Sequence, residues 1–242
     1  MILKIMTFNI RHSSDFNAYL EDGSDKIDFN VPSDIINEFG ADIVGLNEVN
    51  GEGVRADFTP QAEEIGKLTN KNAFFAPAID IEGAGLYGNA LLSKLPVKEF
   101  KNIPIPDPLV KDEKAYYETR CLIKAVIDLG GKDITVFVSH FGLANGEKKN
   151  AVSTVLKELS GIKTPIILMG DFNMRPENEL LKPFYERFNE VDAKNNEFTC
   201  RSDKPKVKID YIFLSKDIKV IKSKVIKKIA SDHFALTTEV EI

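Results

Sequence analysis

Several apolar stretches of this sequence end in carboxylate, amide or imidazole side chains. A single Asp or Asn after a strand usually makes a turn or a cap, but six such places in one chain need another explanation. They are TFN at 7–9, GLNE at 45–48, VSH at 138–140, MGDFN at 169–173, KID at 208–210 and SDH at 231–233. Because binding sites of α/β proteins form where strand ends converge, we expect these side chains to share one site.

The side chains in this set suit a hard cation and proton transfer. Five of these side chains carry oxygen atoms of the kind that Mg²⁺ prefers as ligands. They are Asn9, Glu48, Asp171, Asn173 and Asp232. Two of the three histidines, His140 and His233, belong to the same set. Imidazoles without cysteine partners indicate acid–base chemistry rather than a zinc–thiolate site, and Asp210 can hold one of them in the required tautomer. The combination predicts metal-assisted hydrolysis of a phosphoester.

The short motifs of several other reaction classes are absent. The chain has no GxxxxGKS/T, HExxH, CxxC or GxSxG pattern. The sequence therefore contains no motif that would indicate a nucleotide triphosphatase, a zinc protease, a thiol-redox protein or a serine hydrolase.

Alternating strands and helices must position these side chains. The spacing of apolar residues predicts helices at Ser33–Phe39, Pro60–Asn70 and Glu147–Ser160, with Thr59 as N-cap of the second. Strands are predicted at Ile2–Ile10, Ile43–Glu48, Ala73–Pro77, Ala90–Ser93, Arg120–Leu129, Lys132–His140, Pro165–Gly170, Lys208–Leu214, Ile218–Ile226 and Ala235–Val240. Gly130 and Gly131 indicate a hairpin between two of these strands.

Eight segments together carry a family resemblance. They are TFNIR, GLNEV, YGNALLS, ETR, VSHFGL, MGDFNMRP, KIDYIFLS and SDHFALTTEV, between Thr7 and Val240. In this order they resemble the signature of the endonuclease/exonuclease/phosphatase superfamily, also described as deoxyribonuclease I-like. The resemblance implies an α/β fold over residues 1–242 as a single domain. This fold is a four-layer sandwich in which two mixed β-sheets pack face to face, with helices on both outer faces and the site at one rim.

The resemblance also implies a metal site. Glu48 resembles the principal Mg²⁺ ligand of the superfamily, with Asn9 beside it and Asp232 on the other side of the metal. Asp171 and Asn173 are expected to contact the attacking water or the metal, and the scissile phosphate. Mn²⁺ is the alternative ion.

The proton-transfer roles follow from the same resemblance. His233 is expected to be the general base for water, with Asp210 orienting it and raising its pKa. His140 is expected to donate to the phosphoryl oxygens as negative charge builds on them.

Four further residues match the superfamily pattern on the phosphate side. Arg120 fits the position of an arginine near the phosphate. Glu118 is expected to orient this arginine or an imidazole, and the alternative is that it forms a structural ion pair. Tyr87 and Asn89 match polar groups near the phosphate, although Tyr87 could equally be a packing residue. His12, in the loop after the first strand, is expected at the surface.

Composition excludes several classes of protein. The chain has 242 residues, of which 43% are hydrophobic and 29% charged, the balance of an ordinary globular protein. Its two cysteines cannot form a metal cluster alone, and free thiols fit a reducing cytoplasm. No apolar run approaches the roughly 20 residues that cross a bilayer, and no signal peptide is recognisable. We therefore expect a cytoplasmic monomer without an integral membrane segment.

The charge is unevenly distributed. The net charge of −5 argues against strong non-specific binding to nucleic acid, yet residues 201–228 contain ten Lys or Arg against three Asp or Glu. Such a stretch could face an anionic substrate or a membrane. The favoured interpretation is a solvated or edge strand, on which lysines discourage aggregation. A surface that stacks bases would need aromatic residues among its lysines, and none lies among the last lysines of this stretch.

The sequence indicates the substrate class less directly than it indicates the reaction. The chain has no Trp, whereas the abasic-site endonucleases of the superfamily carry one near their DNA-binding loops. The segment FTCRSDKPKVKIDYIFLS resembles small bacterial metal-dependent hydrolases similar to sphingomyelinase-like phosphodiesterases. The expected activity is therefore that of a Mg²⁺-dependent phosphodiesterase or phosphatase on a small or lipid-derived phosphoester. The alternatives are a nuclease acting on DNA or RNA and, from another class, a catalytically silent binding module.

Overall fold

The computed structural model describes residues 1–54, 58–111 and 114–242. These residues form twelve strands. They are β1 (Ile2–Asn9), β2 (Ile43–Asn50), β3 (Asn72–Ile81), β4 (Gly85–Ser93), β5 (Val97–Ile105), β6 (Arg120–Asp128), β7 (Asp133–His140), β8 (Ile166–Asp171), β9 (Phe188–Glu190), β10 (Asp210–Ser215), β11 (Lys219–Ile226) and β12 (Ala235–Glu241). The first sheet has the order β11-β12-β1-β2-β4-β3 and the second the order β5-β6-β7-β8-β10-β9.

Both sheets are mixed in the same way. β1 pairs in parallel with β2 and β7 with β8, whereas the other neighbours are antiparallel. A parallel pair needs a long crossover connection, and helices fill both crossovers. The helices of the described residues are α1 (Phe16–Asp22), α2 (Asn30–Phe39), α3 (Gln61–Thr69), α4 (Asn145–Glu158) and α5 (Lys182–Arg187).

Three apolar clusters define four layers. The central cluster lies between the sheets and joins residues such as Ile5 of β1 to Met169 of β8. On the outside of the first sheet, Ile36 of α2 and Ile65 of α3 belong to a second cluster. On the outside of the second sheet, Val155 of α4 belongs to a third. This is the four-layer α/β sandwich that the family resemblance implies.

Several elements differ from the sequence prediction. β5, β9, α1 and α5 were not predicted, and α3 begins one residue later than expected, with Pro60 as its N-cap. β5 lacks an alternating pattern because it is an edge strand with little burial, where Pro104 is tolerated. α1 is a short polar helix, which Asp15 caps by accepting hydrogen bonds from the backbone N–H of Asn17 and Ala18.

The prediction for His12 is wrong. Its side chain is 6% exposed, and its Nε2 lies 3.2 Å from Oδ2 of Asp25. The loop turns inward after β1, with positive φ at Arg11, His12 and Ser13, and Gln61 donates from Nε2 to the carbonyl of His12 at 2.7 Å. These long-range contacts bury a residue whose local sequence is polar.

The basic stretch mostly decorates an edge, as predicted. β11 is an edge strand, and Lys219, Lys222 and Lys224 are exposed on it. Lys208 is the exception, because it is 1% exposed and its Nζ lies 2.9 Å from Glu190 Oε2. Among the described residues, no helix combines the length and apolarity of a membrane span.

Candidate active site

The second sheet brings three of the predicted site residues into one row. His140, at the end of β7, is the register neighbour of Asp171 at the end of β8, and Asp171 is the neighbour of Asp210 at the start of β10. Each lies two residues from an inward-facing residue of its own strand, as Asp171 does from Met169 and Asp210 does from Ile212. Because side chains alternate along a strand, all three face the space between the sheets at one rim.

The first sheet supplies a matching row of amides. Asn9 of β1 is the register neighbour of Asn47 of β2, and Asn47 is the neighbour of Asn89 of β4. Asn47 accepts at Oδ1 from the backbone N–H of Asp171 at 2.9 Å and donates from Nδ2 to Asn89 Oδ1 at 2.8 Å. The two rows are therefore hydrogen-bonded to each other across the sandwich.

Asp171 is the point on which these side chains converge. Its Oδ2 accepts from Nδ2 of Asn9 at 3.1 Å, and lies 3.4 Å from Nε2 of His140 and 3.7 Å from Nε2 of His233. Burial raises the pKa of Asp171 to about 7, and the negative charge of Asp210 adds to this effect.

His233 and Asp210 form a buried pair. Nδ1 of His233 lies 2.8 Å from Oδ2 of Asp210, so the ring N–H is placed on Nδ1 and Nε2 can accept a proton. Burial lowers the pKa of His233, but the carboxylates of Asp210 and Asp171 outweigh it, and the pKa lies well above its usual value. The pair has the arrangement of a general base with its orienting carboxylate.

Arg120 lies behind the second imidazole. Its Nη1 is 3.2 Å from Nδ1 of His140 and donates to Oε1 of Glu118 at 2.6 Å. A guanidinium cannot accept a hydrogen bond, so Nδ1 of His140 is the acceptor and the ring N–H is assigned to Nε2, on the side of Asp171. Burial and then the charge of Arg120 lower the pKa of His140 well below its usual value. A neutral N–H donor therefore faces the site.

Asn173 is held against the same imidazole by a tight turn. Its φ is 51°, and its backbone N–H donates to Oδ1 of Asp171 at 2.9 Å. Its Nδ2 donates to the carbonyl of Phe141 at 2.9 Å and lies 3.0 Å from Nε2 of His140. The turn thus places the amide beside the imidazole nitrogen that faces Asp171.

A bulge in β2 directs Glu48 into the site. The pairing of β2 with β4 shifts between Asn47 and Val49, and Glu48 has a φ of 58°. Bulges of this kind re-aim a side chain. Glu48 accepts at Oε1 from Nδ2 of Asn9 at 2.8 Å and is a hydrogen-bond partner of Tyr87. Burial first, and then the charge of Glu48, raise the pKa of Tyr87 well above its usual value.

The donor atoms around Asn9 fit a hard divalent cation. Nδ2 of Asn9 donates to the carboxylates of both Glu48 and Asp171, so carboxylate oxygens from the two sheets lie close to the same amide. Among the described residues, Asp171, Asp210 and His233 also form an acidic and imidazole group whose ligand atoms lie within 4.8 Å of one another. In that group Oδ1 of Asp210 is buried and has no hydrogen-bond partner in the part of the chain that the structure describes.

The described contacts of Asp232, another predicted ligand, are with serine residues outside this set. Its Oδ1 accepts from Oγ of Ser231 at 3.2 Å, and its carbonyl accepts from the backbone N–H of Ser202 at 2.7 Å. No described contact joins it to Glu48, Asn9 or Asp171. Its place in a metal site stays a prediction.

Sequence reasoning missed three residues near the site. Asn47 lies within the GLNEV segment, but its bond to Asp171 depends on the other sheet. Glu147 is 4% exposed and accepts from the backbone N–H of Glu118 at 2.9 Å. Lys148 is half-buried; burial lowers its pKa, and the charge of Asp171 opposes the shift. No short motif marks either of the last two residues.

The fold is shared with several solved structures. An endonuclease/exonuclease/phosphatase from Beutenbergia cavernae DSM 12333 has 20% identity and a TM-score of 0.79, covering 100% of this chain and 72% of its own. A mannosyl-6-phosphatase from Bacteroides thetaiotaomicron VPI-5482 has 16% identity and a TM-score of 0.78, with coverage of 99% and 100%. The human Nocturnin catalytic domain with bound sulfate has 19% identity and a TM-score of 0.74, with coverage of 99% and 93%.

The comparison by sequence is more specific about the family. Among curated protein sequences, none matches the chain significantly. The sequence model of the Endonuclease/Exonuclease/phosphatase family, however, matches residues 6–233, a range that includes every predicted site residue. The chain therefore belongs to the endonuclease/exonuclease/phosphatase family.

Proposed function

We propose that the protein is a Mg²⁺-dependent phosphoester hydrolase that acts on a small or lipid-derived phosphoester. The observation that carries this proposal is the convergence on Asp171 Oδ2, where His233 Nε2 and His140 Nε2 lie at 3.7 and 3.4 Å. A proton acceptor and a neutral proton donor thus face the same point, beside the carboxylate of Glu48. That set matches attack of water on phosphorus.

His233 takes the proton of the attacking water at Nε2. Its Nδ1–H donates to Asp210, which holds the tautomer and stabilises the imidazolium that forms. The raised pKa of His233 makes it a strong acceptor once it is deprotonated.

The donors on the other side of the site stabilise the charge that develops on the phosphoryl oxygens. Nε2 of His140 and Nδ2 of Asn173 lie 3.0 Å apart, and Arg120 adds a positive charge behind the imidazole. Donors that are held in place before the reaction cost no reorganisation as the charge builds.

Glu48, Asn9 and Asp171 are proposed to hold the Mg²⁺, with Mn²⁺ as the alternative ion and Asp232 as a further predicted ligand. Bound there, the cation would supply Lewis-acid stabilisation of phosphate charge. The remaining chemistry belongs to the side chains described above.

Two features favour a small substrate over nucleic acid. Exposed lysines of the basic stretch have acidic partners, with Nζ of Lys222 3.1 Å from Glu239 Oε1 and Nζ of Lys227 2.7 Å from Glu197 Oε2. They offer less free charge to a phosphate backbone than their number implies. One solved structure with the same fold is named a mannosyl-6-phosphatase, and a sugar phosphate is a small phosphoester.

A hydrolysis screen of the purified protein tests the proposal. The substrates are bis-p-nitrophenyl phosphate, p-nitrophenyl phosphate, glycerophosphodiesters, sphingomyelin, inositol phosphates, plasmid and abasic DNA, and RNA, each with Mg²⁺. We expect turnover of a small ester that EDTA and His233→Ala both abolish.

Other outcomes decide between the alternatives. Cleavage of DNA or RNA without turnover of small esters would favour the nuclease. Lack of both turnover and divalent-metal binding would contradict the catalytic assignment and favour a binding module.

A further inference from the structure

Asp210 and His233 reach each other from different sheets. Asp210 begins β10 in the second sheet, whereas His233 lies two residues before β12 of the first sheet. Nδ1 of His233 and Oδ2 of Asp210 are nevertheless only 2.8 Å apart. Strand pairing alone does not fix this separation, so contacts between the two backbones have to contribute to it.

Thr199 is hydrogen-bonded to the backbone on both sides of this pair. Its Oγ1 accepts from the backbone N–H groups of Ile209 at 3.2 Å and Asp210 at 3.3 Å. Its carbonyl accepts from the backbone N–H of Phe234, the residue after His233, at 2.7 Å. The side chain and the carbonyl of one residue thus join the beginning of β10 to the loop before β12.

The next residues of the same segment hold that loop as well. Cys200 forms an isolated antiparallel bridge with His233. The backbone N–H of Ser202 donates to the carbonyl of Asp232 at 2.7 Å, and Oγ of Ser202 donates to the carbonyl of Ser231 at 2.5 Å. The loop that carries the imidazole is therefore fixed to this segment at several points.

The hydroxyl is the part of Thr199 that an apolar side chain cannot replace. Thr199 is 0% exposed, so solvent does not reach it to take over as the acceptor. Valine has nearly the same shape but no acceptor, and a buried N–H that loses its acceptor is unfavourable. Without the hydroxyl, we expect the backbone at Ile209 and Asp210 to shift toward another acceptor and to move the carboxylate of Asp210 with it.

We propose that Thr199 is a positioning residue that sets the separation of the Asp210 carboxylate and the His233 imidazole. Its hydrogen bonds described above are with backbone groups, so it acts through the two backbones that it joins. The proposal deepens the function proposed above and rests on it for the role of His233 as the base.

The proton on Nδ1 of His233 reports this separation. Because a charge-assisted hydrogen bond is short, its proton resonates at low field and exchanges slowly with water, and only three histidines have to be distinguished. Proton NMR of protein with isotope-labelled histidine should show this signal in the wild type and not in His233→Gln. In Thr199→Val the signal should move upfield or be lost to exchange. Thr199→Ser keeps the acceptor and should retain the signal.

Thr237→Val is the matched control. Thr237 is also 0% exposed, and its Oγ1 donates to the carbonyl of Lys224 at 2.9 Å within the first sheet. This variant should keep the low-field signal of His233, even where urea denaturation shows a loss of stability. Thr199→Ala is a second variant without the acceptor, for use if the valine variant does not fold. A signal that is unchanged in a folded Thr199→Val or Thr199→Ala, or that Thr237→Val loses equally, would overturn the proposal.

Kinetics with bis-p-nitrophenyl phosphate separate this proposal from the proposed function. Thr199→Val should lower kcat about 10- to 100-fold, because the base is misplaced. KM should stay within about twofold of its wild-type value, since substrate binding is untouched, and Thr199→Ser should restore kcat. If no ester is hydrolysed, the proposed function fails, while the NMR comparison still decides the role of Thr199. An unchanged kcat in Thr199→Val, or a loss of kcat/KM through KM alone, would contradict that role even if the wild type is active.

Discussion

The backbone N–H of Asp171 donates to Oδ1 of Asn47 at 2.9 Å, and this bond joins the second sheet to the first. Both residues are buried, and Asn47 passes the connection to Asn89 through its Nδ2. The bond sets the distance between the carboxylate on which the site converges and the strand that carries Glu48.

Replacing Asn47 should weaken both stability and activity. Asn47→Leu leaves the buried N–H of Asp171 without a partner, which costs about 1–3 kcal/mol of unfolding free energy. Urea denaturation measures that loss, and kcat should fall because Asp171 is no longer held. Asn37→Ala, which removes one exposed bond to the carbonyl of Leu68, is the control and should have a smaller effect. Equal stabilities of Asn47→Leu and the wild type would contradict the cross-sheet role.

Removing the charge of Asp210 should change the pH dependence of hydrolysis. The carboxylate of Asp210 raises the pKa of His233, so Asp210→Asn lowers that pKa. The acid limb of the kcat/KM profile, which reports deprotonation of the base, then moves to lower pH. The maximal rate should fall about 100-fold or more, because the imidazole loses its orienting partner. An acid limb that stays in place or moves to higher pH would show that His233 is not the base.

Arg120 should control the protonation of His140. The guanidinium lowers the pKa of His140, although burial is the larger cause. Arg120→Gln should therefore raise this pKa, which nitrogen-detected NMR of the imidazole can follow, and lower kcat by about 100-fold. Arg187→Gln, at an exposed arginine of α5, should do neither. A kcat loss without any change in the titration of His140 would mean that Arg120 acts on the substrate directly.

Two glycines allow the cost of backbone strain alone to be compared with the cost of strain combined with a steric clash. Gly170 has a φ of 143°, and a Cβ there would clash with the carbonyl oxygen of Ser139 on β7. Gly161 has a φ of 78°, and no atom lies within 4 Å of its Cβ position. Gly161→Ala should cost about 1–2 kcal/mol from strain alone, whereas Gly170→Ala should cost about 2–4 kcal/mol. Thermal or urea unfolding of both variants compares them, and equal losses would contradict the contact between β7 and β8.

Much of the candidate site could be predicted from residue types and the two-residue period of strands. The alternation that buries Ile5 between the sheets also places Asn9 on that side, and the same holds for Met169 and Asp171. The segments that resemble the family were sufficient to predict the four-layer fold. The metal roles of Glu48 and Asp232, and the catalytic roles of the other site residues, stay predictions that the experiments above address.

Short polar elements were harder to predict because distant contacts stabilise them. His12 sits in a polar loop and is nevertheless buried against Asp25 and beside Gln61. Lys208 belongs to a basic stretch and is nevertheless buried against Glu190. In both cases the partner comes from another part of the chain, and local polarity carries no information about it.

Residue type and strand period were enough to indicate the chemistry that this rim can offer, because they decide which side chains face inward and what atoms they carry. Which of these atoms come into contact depends on the tertiary structure. It paired His140 with Arg120, joined Asp171 to Asn47 and fastened Glu118 through Glu147. The physical reason is that each of these bonds spans 20 or more residues of chain. Its geometry is therefore set by how whole sheets and helices pack, which the spacing of residues within one strand or one helix does not specify.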